Sequence, residues 1–145
     1  MDNKKYIFSP ISGNIKKIFE KKKNKIYKKK ITICSQGNII VAPCNGIIYN
    51  CQLEKMSFIM QLDSNITITI KNKYKKKNKV YQMIKNKKNQ KICAGTIIFT
   101  IKNSNIKKNI INLDTLIKIY SNKKMKKKKN FLYYVRAGIS ILAVI

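Results

Sequence analysis

At 145 residues the chain has the length of one ordinary domain, long enough to bury roughly two-thirds of the surface its unfolded form exposes. Apolar residues make up 44% and run along the whole length, which excludes intrinsic disorder and favours a single globular domain over residues 1–145. Lysine and arginine number 33 against five carboxylates, for a formal charge of +28, and there is no histidine, so neither a histidine-held metal nor imidazole chemistry is available.

In chain order, the apolar runs are short, rich in isoleucine and separated by Gly, Asn, Pro or lysine clusters, the pattern of many short strands. They comprise Ile31–Cys34, Asn38–Ala42, Gly46–Tyr49, Phe58–Met60, Ile66–Ile70, Gly95–Ile101 and Leu116–Tyr120. Ile66–Ile70 alternates strictly, so its isoleucines are expected to face a core while Thr67 and Thr69 face outward. Turns are expected at Ser12-Gly13, Gln36-Gly37-Asn38, Asn45-Gly46, Ser64-Asn65 and Ala94-Gly95. The lysine-rich stretches Lys21–Lys30, Lys73–Lys79 and Lys123–Lys129 read as surface loops or a frayed turn. No sustained 3.6-residue period occurs. The fold class is therefore all-β: one compact antiparallel β-sandwich or barrel of short strands.

Two segments share a pattern: Ser9-Pro10-Ile11-Ser12-Gly13-Asn14-Ile15 and Ala42-Pro43-Cys44-Asn45-Gly46-Ile47-Ile48. Each is a proline-entered turn closed by glycine and followed by a strand, which suggests an internal turn-strand duplication.

The cysteines Cys34, Cys44, Cys51 and Cys93 contain no C-x-x-C pair and have no histidine to complete a zinc site, so no metal and no cofactor are expected. Each sits beside apolar residues and reads as a buried thiol, with a Cys44 to Cys51 pairing as the alternative; reduced thiols fit a cytoplasmic location. The N-terminus lacks the apolar segment of a signal peptide. The apolar tail Phe131–Ile145 contains Arg136 and falls short of the roughly 20 apolar residues of a spanning helix, so no transmembrane segment is expected.

The lysine excess has two readings. It would attract an anionic partner, nucleic acid or a membrane surface, by steering and counterion release. It also accompanies abundant Asn, Ile and Tyr, the composition that A/T-rich codons produce with no partner at all, and Arg136 is the only arginine.

Ser9-Pro-Ile-Ser-Gly13, then Gln36-Gly-Asn-Ile-Ile-Val-Ala-Pro-Cys-Asn-Gly46, then Asn89-Gln-Lys-Ile-Cys-Ala-Gly-Thr-Ile-Ile98 resemble, in order and spacing, the glucose-type IIA domain of the bacterial phosphoenolpyruvate-dependent sugar phosphotransferase system. The tail Val135-Arg-Ala-Gly138 to Ile145 resembles the closing strands of that family, so the resemblance spans about residues 6–145 and turns the apolar tail into a core strand pair.

The resemblance implies a compact, monomeric, cytoplasmic phosphocarrier. Such a domain accepts a phosphoryl group from the histidine phosphocarrier protein and passes it to the IIB domain of a sugar permease. It implies two histidines, and both positions can be located. The supporting histidine falls on Met56 and the acceptor on Lys71. Methionine offers no proton chemistry, and a solvated lysine ammonium is not nucleophilic at neutral pH, so phosphoryl transfer is expected to be lost. The resemblance further implies a partner-docking surface at Phe58, Gln52, Thr69 and Lys75. Gln52 and Thr69 replace apolar residues and Lys75 an acidic one, so the phosphocarrier's basic patch is expected to be repelled.

Overall fold

A computed structural model of the chain describes residues 4–52, 56–74, 80–83, 89–101, 113–126 and 133–145. These residues form strands and turns only. The strands are β1 (Tyr6–Phe8), β2 (Gly13–Lys23), β3 (Ile26–Ser35), β4 (Ile39–Val41), β5 (Gly46–Gln52), β6 (Ser57–Asp63) and β7 (Ile66–Tyr74). They continue with β8 (Val80–Met83), β9 (Lys91–Ile92), β10 (Ile97–Ile101), β11 (Leu113–Ser121), β12 (Tyr134–Val135) and β13 (Ile141–Val144). Eight of them make one sheet in the order β12-β2-β3-β11-β7-β6-β5-β9; β1 pairs with β13, and β4, β10 and β8 form a third sheet. Every pairing is antiparallel.

Alternation sets the faces. Ile66, Ile68 and Ile70 are buried while Thr67 and Thr69 are half-exposed, as their spacing requires. In β11 the buried set is Leu113, Thr115, Ile117, Ile119 and Ser121. The apolar ones among these join Ile7, Ile40, Phe99 and Leu142 from the two smaller sheets, and Ile11 from the turn before β2, in one contiguous core. The apolar tail contributes β12 and β13, with Val135, Leu142 and Ala143 in that core.

The strand order of the large sheet is palindromic, and the repeat hinted at by the two proline turns extends through that sheet and the turns beside it, while β8 has no counterpart among the described residues. From either edge of the large sheet one meets a two-residue strand (β12 or β9), a hairpin (β2-β3 or β5-β6) and a central strand (β11 or β7). The hydrogen bonds repeat as well. Gly138 N donates to Ser9 O at 2.8 Å and Gly95 N to Ala42 O at 2.9 Å. Phe8 N donates to Pro43 O at 2.7 Å and Val41 N to Pro10 O at 2.8 Å, a reciprocal pair. Each hairpin carries its bulge at the same place, between Ile15 and Lys17 in β2 and between Ile48 and Asn50 in β5. The relation passes through the central pair Ile117↔Ile70. The second proline-turn unit, with β7, β9 and β10, is thus threaded between β3 and β11 of the first.

The glycines that close the two turns are equivalent in packing. A Cβ on Gly13 would overlap the carbonyl oxygen of Cys34, and one on Gly46 the carbonyl oxygen of Gln61, so both positions need the bare backbone.

The lysine run 21–30 differs from the expected loop. It is the end of the β2-β3 hairpin, reversed by Asn24 and Lys25 at φ of 51° and 64°, the two positive dihedrals that a tight hairpin turn requires. Lysines are tolerated on this ribbon because their stems lie along the strands; Lys22 Nζ sits 5.0 Å from the ring centre of Tyr27. Likewise β7 continues through Lys73 to Tyr74, paired with Asp114 and Leu113. From the third run, Lys123–Lys126 is irregular, and residues 127–129 lie outside the described residues.

Candidate functional site

Strands β5, β6, β7 and β11 turn one face toward the core and the other outward. On the outward face an open depression of about 600 Å³ is lined by Asn50, Gln52, Ser57, Ile59, Thr69, Lys71, Lys118 and Tyr120, together with Phe58, Ile70 and Asn72. The strands that build it explain its chemistry. Outward positions of alternating strands are mostly polar, so the lining brings hydroxyl, amide and ammonium groups around the apolar surface of Ile59 and the Tyr120 ring. No carboxylate lines it.

The two positions marked by the resemblance are neighbours along the β6-β7 pair, but only Lys71 lines the depression. Phe58 pairs with Ile70, so the residues before Phe58 lie beside those after Ile70, and the Asn72 side-chain amide donates to the Met56 carbonyl. Thr115 Oγ1 in turn donates to Asn72 Oδ1 at 2.6 Å, which fixes this end of the β6-β7 pair. Met56 occupies the left-handed region at φ 43° and its side chain is fully buried. Lys71 points the other way and is exposed. The thioether is thus in the core and the ammonium in solvent.

Of the docking residues, Gln52 is exposed and Thr69 half-exposed on the outward face. Phe58 is 1% exposed and its ring packs against Phe99 with centroids 5.9 Å apart, so it is a core side chain with little surface for a partner. Lys75 lies outside the described residues.

Lys118 and Tyr120 join the site although the motifs do not mark them. The alternation of Leu116-Ile-Lys118-Ile-Tyr120, which signals the strand, already puts both on the side opposite the buried isoleucines. Lys118 is also the counterpart of Lys71 across the Ile117↔Ile70 pair: Lys118 lies opposite Thr69, and Lys71 opposite Leu116. Two ammonium groups therefore sit diagonally across the central strand pair.

No thiol supplies a nucleophile to the depression. None of the four cysteines is in a disulfide; Cys44 is buried, Cys34 and Cys51 are half-buried, and Cys93, expected inside, is exposed at the turn after β9. Cys51, opposite Phe58, faces inward, and burial pushes its pKa up, which disfavours the thiolate. Burial pushes the Cys44 thiol up to about 12. Among the described residues no group of three or more His, Cys, Asp or Glu is placed to hold a metal.

Away from the depression, the described carboxylates are all engaged by lysines. Asp63 pairs with Lys5, Asp114 with Lys16 at 3.2 Å, and Glu20 with Lys29 at 3.7 Å. Lys29 is the one buried cation among the described residues, its ammonium donating to Leu142 O at 2.9 Å. Desolvation lowers its pKa, opposed by the charge and hydrogen bond of Glu20. Among the described residues no helix is long and apolar enough to cross a membrane. No protein-family model matches the chain, and no curated protein matches it either.

Proposed function

We propose that the chain is a divergent IIA-type domain of the sugar phosphotransferase system that has lost the phosphoryl-carrier step and acts as a binding module through its outward sheet face. The observation that carries this reading is the arrangement at positions 56 and 71. Both fall at one end of the β6-β7 pair, adjacent in register but with their side chains on opposite faces, so they do not form a shared phosphoryl site. Met56 is buried and Lys71 is an exposed ammonium, so neither presents a lone pair to an incoming phosphorus. The palindromic antiparallel fold, closed by the turn motifs that carry the resemblance, supports the same reading.

What remains chemically is recognition. The depression offers amide and hydroxyl groups from Asn50, Gln52, Ser57 and Thr69 and two cations from Lys71 and Lys118. It suits an acidic or phosphate-bearing surface and repels the phosphocarrier's basic patch. Incubation with phosphoenolpyruvate, the general enzyme and the histidine phosphocarrier is expected to leave the protein unlabelled; stoichiometric acid-labile phosphate would show that transfer survives. Kinship is tested separately by titrating the labelled protein with the IIB domain of the sugar permease from the same cell. Amide shifts should centre on Gln52, Thr69 and Lys71, and an unperturbed face rejects the reading.

A further inference from the structure

The outward face does not end at the depression. Continued across β11, β3 and β2, the register lays its side chains out in three rungs. The first runs Lys17, Thr32, Leu116, Lys71; the second Phe19, Lys30, Lys118, Thr69; the third Lys21, Lys28, Tyr120, Thr67. Each rung carries two lysines, one aromatic or aliphatic residue and one threonine, and none carries a carboxylate. With strands about 4.8 Å apart and outward residues about 6.8 Å apart along each strand, this lattice spans roughly 14 Å in each direction. It holds six lysines.

Two features show that this is more than a solvated polar face. Lys21 lies directly opposite Lys28, and Lys30 directly opposite Lys118. Like charges facing each other across strands destabilise a sheet, and an anion lying between the strands relieves that repulsion. The aromatic members sit among the cations: Phe19 is 49% exposed, and Lys28 Nζ lies 5.5 Å from the ring centre of Tyr120. Two described carboxylates border the lattice and both are held by lysines: Asp114 by Lys16 at 3.2 Å beside the first rung, and Glu20, between Phe19 and Lys21, by Lys29 at 3.7 Å.

We propose that this face binds single-stranded nucleic acid, with the lysines along the phosphates and Phe19 and Tyr120 as stacking platforms. Stacking rings within a cationic surface is the chemistry of sequence-tolerant single-strand binding. A duplex fits less well, because a broad sheet face does not enter a groove, and the bidentate arginine that reads base edges is absent: Arg136, the sole arginine, lies between β12 and β13. A membrane fits less well too, because Phe19 is the one large, strongly exposed apolar residue of the lattice and the other positions are mostly ammonium and hydroxyl groups. The inference does not depend on the IIA-type reading.

The test uses the full chain, a short fluorescein-labelled oligouridylate, and anisotropy at several salt concentrations. Six lysines predict a slope of log affinity against log salt near about −4, a loss of roughly 300-fold between 50 and 200 mM. Lys30→Gln with Lys118→Gln should weaken binding by roughly 20-fold at about 0.1 M salt and flatten the slope by about 1.4. Because it removes a like-charge pair, this double variant should fold at least as well as wild type. Phe19→Ala should cost roughly tenfold with the slope unchanged.

The control is Lys4→Gln with Arg136→Gln, an equal charge change at exposed residues, one before β1 and one between β12 and β13, that are not part of the lattice. It should leave both affinity and slope within about twofold of wild type. An equal loss in the control overturns the proposal, since the attraction would then be the net charge of +28 rather than this face. No binding to the oligonucleotide also overturns it, as does a loss in the Lys30 and Lys118 variant seen only with phosphatidylserine vesicles.

Discussion

Phe58→Ala separates a core side chain from a docking one. The ring is 1% exposed, stacks at a tilt on Phe99 with centroids 5.9 Å apart, and lies between Cys51 of β5 and Ile70 of β7 in register. Truncating it removes its transfer energy and leaves a cavity walled by paired strands that cannot collapse freely. The expected loss is about 4 kcal/mol, within the usual range of about 3–5 for a buried phenylalanine, of which about 1 reflects the ring pair. With a urea slope of about 2 kcal/mol per M, the denaturation midpoint should fall by about 2 M. Phe19→Ala, on the exposed face, should move it by less than about 0.5 M. A Phe58→Ala protein with an unchanged midpoint and weakened partner binding would refute the argument, since the ring would then belong to the surface.

Three further outcomes follow from single residues. Gly46→Ala should cost about 3 kcal/mol, because the new Cβ overlaps Gln61 O and lies 3.1 Å from its carbonyl carbon; Gly37→Ala, whose Cβ meets nothing nearer than 3.7 Å, should be within about 0.5 kcal/mol of wild type. The Cys44 thiol is held near 12 in the fold against 9.0 as reference, so the unfolded chain releases its proton first and stability falls as pH rises from about 9 toward 12. The stability difference between wild type and Cys44→Ala should narrow over that range, by up to about 4 kcal/mol, and in native protein at pH 8 a thiol reagent should label Cys93 long before Cys44. Lys29 runs the opposite way: its folded pKa is below 10.5, so the unfolded state binds the proton more tightly and stability rises with pH just below 10.5. Lys29→Met should remove that rise, measured as the difference between the two urea titrations.

The all-β class and the inward isoleucines of β7 were legible because a period of two needs no tertiary information. The β2-β3 hairpin was not, since lysine runs ordinarily mark loops and the deciding feature, two consecutive positive φ angles at Asn24 and Lys25, is a backbone property of residues other than glycine. The burial of Phe58 was hidden for a related reason. Resemblance fixes which residue stands at a position, whereas the face it occupies depends on the β6-β7 register, which sets Phe58 opposite the buried Ile70. Lys118 escaped because it is distant in sequence from the motifs and reaches the site only through the β7-β11 pairing.

The internal duplication ties these observations together. An antiparallel pair related through Ile117↔Ile70 presents each outward position twice, so the two halves of the face are equivalent in backbone register. They have diverged in charge. Asn50, after the β5 bulge, corresponds to Lys17 after the β2 bulge, while Lys71 and Lys118 remain a matched pair across the centre. The β5-β6-β7 half keeps the amide and hydroxyl groups suited to a specific contact, and the β2-β3-β11 half has concentrated cations. If the two halves serve different ligands, occupancy of either should weaken binding at the other, because Lys71 and Lys118 belong to both. Competition between the oligonucleotide and the IIB domain measures this: independent binding would show that the central lysine pair is not shared.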